Sequence, residues 1–191
     1  IDFGFTNPFS CLWAALDGDG RIIVYREIYH TGRTVRAHAG QIRALSEGEC
    51  YEATIADHDA EDRATLHEEG IQTVAAYKAV SIGIQAVQER LKKAKDDKPR
   101  LFVMRDSLVE RDESLAATKK PLCLEQEFDG YVWHRGLDGR PRKEEPVKDG
   151  DHSLDGLRYG VCYIDRVGKR TAPVPMLSGL SGSMTRSSPW K

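Results

Sequence analysis

Three aspartates stand at positions from which they could act on a common centre. Asp2 lies in an extended segment at the start, Asp57 closes the apolar run 53–56, and Asp155 falls in the first turn of the last amphipathic stretch. Strand ends of a central sheet lie close together, so Asp2 and Asp57 can face one another with Asp155 brought over them. Such a cluster repels itself unless cations occupy it. Mg2+ or Mn2+ prefers carboxylate oxygen and keeps waters for a substrate phosphate. Two such ions about 3.5–4 Å apart clamp an in-line phosphodiester displacement, one generating hydroxide and the other stabilising the leaving oxygen. His152, three residues before Asp155, can share a helix turn with it and reach one ion.

Each of these residues also has a purely structural reading. An aspartate at a strand end is commonly a turn former, and a histidine at a helix start is commonly solvent-facing. Asp155 is the least ordinary, because Leu154, Leu157 and Val161 frame it. Asp59 reads as a helix cap, Asp17 and Asp19 as hairpin-turn residues, Asp151 as a cap for the last helix and His58 as a loop residue.

The elements that must position these side chains follow from local pattern. An apolar run over 9–16, the turn Asp17-Gly18-Asp19-Gly20 and the β-rich 21–29 predict an antiparallel hairpin. Thr34 caps a helix reaching Leu45, and Asp59 starts another that stops near Gly70. Residues 53–56 and 71–75 read as short strands. From Ser81, the spacing of Ile82, Ile84, Val87 and Leu91 predicts an amphipathic helix whose basic end, Lys92, Lys93 and Lys95, suits the negative helix terminus. Residues 100–104 read as a strand, 108–117 as a helix, 121–127 as a short helix and 131–133 as a strand. A charged loop over 136–150 precedes a final helix over 153–167.

Length and composition set the class. The 191 residues, 40% hydrophobic and 30% charged, suit one α/β unit and exclude disordered and fibrous chains. Apolar runs fall far short of the roughly 18–20 residues a membrane span needs. With 28 Lys and Arg against 30 Asp and Glu, the net charge of −2 makes any phosphate-binding surface local. Cys11, Cys50, Cys123 and Cys162 lack zinc-site spacing and predict a reducing compartment. The chain opens at Ile1, in what reads as the middle of a strand, and so reads as a fragment.

In ordered blocks the chain resembles the nuclease domain of tailed-phage terminase large subunits. The blocks are Asp2-Phe3-Gly4-Phe5-Thr6-Asn7-Pro8, then Tyr25-Arg26-Glu27-Ile28-Tyr29, then Ala56-Asp57, then Lys78 with Ile82-Gly83-Ile84. Asp151-His152-Ser153-Leu154-Asp155-Gly156-Leu157-Arg158-Tyr159 completes them. The resemblance implies a ribonuclease H-like α/β fold, a mixed central β-sheet flanked by helices on both faces, over residues 1–168, with a flexible tail over 169–191. It implies a metal-dependent endonuclease cutting concatemeric double-stranded viral DNA with two divalent ions, Mg2+ or Mn2+. Asp2 would bridge the metals, Asp57 and Asp155 would be its catalytic partners, and His152 an auxiliary ligand. It further implies an N-terminal packaging ATPase, a small terminase subunit and a portal protein as partners, and the cytoplasm of an infected bacterial cell as the setting. The domain by itself would most simply be a monomer. This chain carries no Walker-type phosphate loop and so is not that ATPase.

Basic residues beside the acidic centre are candidates for holding the DNA backbone: Lys78 foremost, then Arg140, Arg142, Lys143 and Lys148, with Arg33 behind them. Glu144 and Glu145 dilute the loop group, which also reads as a solvated charged loop. Trp13, Tyr131 and Trp133 read as packing aromatics. Two rival readings remain at this point. Asp-x-Gly-x-Thr also resembles the phosphate hairpin of actin-like ATPases and sugar kinases, although no second phosphate motif follows. A non-catalytic ribonuclease H-like module that grips DNA or a portal protein is the other.

Overall fold

A computed structural model describes residues 1–135, 141–146 and 150–167, with 133–135 and 141–146 as backbone. Strands β1 (Phe9–Leu16) and β2 (Ile22–His30) form the hairpin. Its turn is closed by Asp17 Oδ1, which accepts from the backbone N–H groups of Asp19 at 2.9 Å and Arg21 at 2.8 Å. The register runs from Phe9 opposite His30 to Leu16 opposite Ile22. Between Trp13/Arg26 and Ala14/Val24 it skips Tyr25. A one-residue bulge reverses which face each following side chain takes. Ile28 therefore packs with Phe9, Cys11 and Trp13 on one face, whereas Val24 and Ile22 pack on the other.

β5 (Leu101–Val103) adds in parallel to β2. On the opposite side, Asp2 pairs antiparallel with Ser10. The Ile1 amine donates to Ile55 O at 2.7 Å and Asp57 N donates to Ile1 O at 3.1 Å, the pattern of a parallel pair. Residues 1–2 thus join β1 to β3 (Ile55–Ala56), which pairs in parallel with β4 (Val74–Ala75). The spatial order is β5, β2, β1, residues 1–2, β3, β4.

Helices cover both faces. α1 (Val35–Leu45) and α2 (Ala60–Glu68) bury Ala39, Ile42 and Leu66 against Phe9, Trp13, Ile28 and Ala56. As expected, Thr34 caps the first through Ala37 N, and Asp59 caps the second through Glu61 N and Asp62 N. On the other face, α3 (Val80–Leu91), α5 (Leu124–Gly130) and α6 (His152–Ile164) bury Val87, Leu124, Leu154, Leu157 and Val161 against Ile22, Val24 and Leu101. Each such aliphatic side chain contributes about 1.5–3 kcal/mol on burial. The apolar stripe of α6, more than any one polar contact, therefore fixes that helix on the sheet. The arrangement is a mixed sheet between helical layers, a ribonuclease H-like α/β fold. Among the described residues, no helix is long and apolar enough to cross a membrane.

Several elements depart from the expected boundaries. The helix over 108–117 shrinks to α4 (Glu113–Ala117), because residues 107–109 bond to β2 instead: Glu27 N donates to Ser107 O and Val109 N to Glu27 O. Ile82 and Leu91 are exposed, and α3 turns Gly83, Ile84 and Val87 inward. α5 begins at Leu124, later than Pro121. The strand over 71–75 reduces to Val74–Ala75, both exposed. The strand expected over 131–133 falls instead at β6 (Trp133–Arg135), and β7 (Pro141–Pro146), within the span expected as a loop, pairs with it. The tail over 169–191 lies outside the described residues.

Candidate active site

Ile1 and Ala56 pack together on the α1 face, so alternation sends the next residues, Asp2 and Asp57, to the α6 face. Ser10, paired with Asp2, points the same way and meets Ser153 of α6. The sheet thus presents two carboxylates to the first turns of α6, which carry His152 and Asp155. Of the four residues expected from the sequence, Asp2 meets His152 directly and Asp155 through Tyr159, whereas Asp57 reaches this group only through its charge on the Tyr159 phenol.

At the centre is the buried Tyr159 hydroxyl, 3.4 Å from Asp2 Oδ1 and 3.5 Å from Asp155 Oδ2. Burial, and then the charges of Asp2, Asp155 and Asp57, push its phenol far above the ordinary value, so it stays a proton donor. Asp2 is 7% exposed, and His152 Nδ1 lies 3.1 Å from its Oδ2. Burial pushes the Asp2 carboxyl up and the Asp155 charge adds to this, while the His152 hydrogen bond pulls it down. Burial opposes the charged imidazole of His152, but the hydrogen bond and charge of Asp2 outweigh it and raise its proton affinity. Asp57 pairs with Lys78 and accepts from His58 N. Asp155 Oδ1 accepts from Arg158 Nη2 at 2.7 Å and Nε at 3.3 Å.

Beneath this site runs a polar network not anticipated from the sequence. Glu27 and Glu127 are fully buried. Glu27 accepts from Leu124 N at 2.8 and 3.1 Å and from Ser153 Oγ at 2.5 Å. Glu127 accepts from Leu154 N at 2.8 Å and Tyr29 Oη at 2.7 Å. The two carboxylates therefore cap the starts of α5 and α6. Asp151 occupies the cap position of α6 but makes no capping bond with its side chain, because Glu127 has taken that role. Burial pushes both glutamates up to about 7. The signal available in the sequence was a lone acid in the apolar strand Ile22–His30, which a buried strand tolerates only with partners.

Other expectations fall out differently. Arg33 is engaged by Glu110 through two bonds, at 2.7 and 2.6 Å, and does not face the carboxylates. Trp13 is a core residue whose Nε1 donates to Ser46 Oγ at 3.0 Å, and Tyr131 packs partly buried beside α6. Arg140 and Lys148 lie outside the described residues, and Arg142 and Lys143 are placed only as backbone positions in β7. A cavity of about 770 Å³ bordered by Trp13, Tyr25, Ile42 and Ile71 contains none of the four site residues.

Among the described residues, no group of three His, Cys, Asp or Glu side chains converges into a ready-made metal cluster. The donor types nevertheless suit a hard divalent ion: carboxylate oxygens and an imidazole, with burial disfavouring the charged form of Asp2.

This is a ribonuclease H-like arrangement with its acidic residues at neighbouring strand ends and on the last helix. No protein-family model matches the sequence, and no curated protein matches it. Solved structures do share the fold. The large terminase of a thermophilic bacteriophage, solved in complex with ATP-gamma-S, superposes with a TM-score of 0.65 at 23% identity, over 84% of this chain and 38% of that one. The nuclease domain of the large terminase of bacteriophage SPP1, with bound Mn, gives 0.60 at 19% identity, over 86% and 83%. The P22 large terminase nuclease domain gives 0.57 at 18%, over 86% and 78%. The chain spans about two-fifths of the thermophilic phage protein and most of the two nuclease domains.

Proposed function

We propose that this chain is a metal-dependent endonuclease module that cuts double-stranded DNA during viral genome packaging. The observation that carries this reading is the grouping of Asp2, Asp155 and His152 about the Tyr159 hydroxyl, with Asp57 on the neighbouring strand end. The fold shared with terminase nuclease domains, one of them holding Mn, supports it. Asp2, Asp57 and Asp155 would hold two divalent ions, Mg2+ or Mn2+, with His152 as an auxiliary ligand. Bound there, the ions would supply a hydroxide nucleophile and charge stabilisation at the leaving oxygen. The chain's own residues orient that site: Tyr159 spaces Asp2 from Asp155, Arg158 fixes the rotamer of Asp155, and His152 holds a proton against Asp2. Lys78, half-exposed beside Asp57, is the candidate to meet a DNA backbone, with Arg140, Lys143 and Lys148 as further candidates. In this reading the domain acts in the infected bacterial cytoplasm, beside a packaging ATPase, a small terminase subunit and a portal protein, and is monomeric by itself.

Plasmid nicking and linearisation in Mn2+ or Mg2+, absent in EDTA and in Asp2→Ala, is the expected result. Undiminished cleavage by Asp2→Ala would refute the assignment. One observation favours a second reading, a DNA- or portal-binding module without catalysis: every carboxylate of the site already has a basic partner from the chain, Lys78, Arg158 or the His152 imidazole. DNA retention without cleavage in any metal would support that alternative.

A further inference from the structure

Each of the three carboxylates has a basic partner: Asp2 has His152, Asp57 has Lys78 with the exposed His58 imidazole 3.9 Å away, and Asp155 has Arg158. The two permanently charged partners are held in different ways. The Arg158 side chain is 4% exposed and its stem lies against Gly83 of α3, where a Cβ would come within 2.5 Å of Arg158 Cδ. It is trapped. Its Nη1 is buried and without a hydrogen-bond partner among the described residues, and its guanidinium meets the site through Asp155 and over the Tyr159 ring, 5.0 Å from its centroid. Lys78, by contrast, precedes α3 in a connecting segment and its side chain is 47% exposed. A four-carbon stem in that setting swings into water with little loss.

We propose that Lys78 is a displaceable counter-ion: its ammonium occupies Asp57 when no divalent ion is present, competes with metal for that carboxylate, and on metal loading is released to the phosphate backbone of DNA. Arg158 stays fixed and keeps Asp155 oriented throughout. This inference rests on the metal-nuclease reading and adds a coupling to it, since metal binding and DNA binding then draw on the same side chain and must strengthen each other reciprocally.

The physical argument is one of shared lone pairs. A carboxylate oxygen accepting from an ammonium is less available to a cation, and the two positive charges repel at contact distance. Removing the ammonium leaves Asp57 exposed enough to remain hydrated, so the fold does not depend on the pair.

The test is Mn2+ binding by titration calorimetry to the whole chain, in wild type, Lys78→Met and Lys93→Met. The Lys93 variant removes the same charge from an exposed pair with Asp97. Lys78→Met should bind Mn2+ roughly two- to fivefold more tightly than both other proteins, the scale of a half-exposed ion pair. In parallel, fluorescence anisotropy on duplex DNA at fixed ionic strength should show that Ca2+ tightens binding in wild type and that Lys78→Met loses most of this gain. Unchanged or weaker Mn2+ binding by Lys78→Met would overturn the proposal while leaving the metal site standing. Absence of Mn2+ binding by wild type would remove both.

Discussion

Ser10 Oγ and Ser153 Oγ lie 2.7 Å apart in the interior, bridging 143 positions of sequence. Ser10 exchanges both backbone hydrogen bonds with Asp2, and Ser153 follows His152. This contact therefore ties the strand beneath one half of the acidic site to the helix start carrying the other half. Because Ser153 Oγ donates to Glu27 at 2.5 Å, Ser10 is the donor to Ser153.

Ser153→Ala should leave the Ser10 hydroxyl without an acceptor and Glu27 short of a donor. A loss of about 1–3 kcal/mol in stability is expected from such orphaned buried groups. Urea unfolding measures it. Nicking assayed well below the melting temperature should also fall, since a shift of about 1 Å in catalytic groups can lower rates on the order of 100-fold. Full nicking activity in a destabilised variant would show that the network supports the fold without aligning the site.

Stability should depend on pH through Glu27 and Glu127. Burial raises both to about 7 in the folded chain, above the unfolded value of about 4.3. The native state thus binds these protons more tightly. The stabilisation is complete below about pH 4 and is lost as pH rises toward 7. His38, which burial lowers to about 4, acts in the opposite sense as pH falls below its unfolded value. That contribution is common to wild type and variant and cancels between them. Glu27→Gln, which keeps the shape and cannot ionise, should therefore gain on wild type between pH 5 and 8, by on the order of 1–3 kcal/mol. Denaturation in EDTA at four pH values in this range tests it, and a flat difference would mean that Glu27 titrates normally.

Gly83→Ala should act at a distance. The new methyl group would come within 2.5 Å of Cγ and Cδ of Arg158, a side chain that is itself buried, and must displace it. Overpacking of this kind destabilises by about 1–3 kcal/mol. Its specific signature is functional: Asp155 loses the alignment given by Nη2 and Nε of Arg158. Cleavage should drop further than in Gly160→Ala, a position on α6 with open space around it.

Millimolar Mn2+ should raise the melting temperature in the wild type. Ligand at about 100 times its Kd stabilises by about 2.7 kcal/mol, which in a domain of this size corresponds to several degrees. Asp57→Ala should lose much of the shift. Calorimetric scans with and without the ion decide this, and an equal shift in both proteins would place the ion elsewhere.

Features whose causes are local can be read directly from the residues. Asp17 closes its own turn, Thr34 and Asp59 cap the helices that follow them, and Leu154, Leu157 and Val161 mark one face of α6. Asp57 and Asp155 were recognisable from where they sit on those elements. Tertiary structure alone decided who meets whom. The bulge at Tyr25 assigns faces along β2, the bonds of residues 107–109 to Glu27 cut short a plausible helix, and Glu127 displaces Asp151 as the effective cap of α6. The pairing of Asp2 with His152 spans 150 positions. Turns and caps draw on interactions within four or five residues and survive in any fold. A buried acid or a charge pair acquires its partner only when the sheet closes and brings distant segments to hydrogen-bond distance, and desolvation there then decides how each group holds its proton.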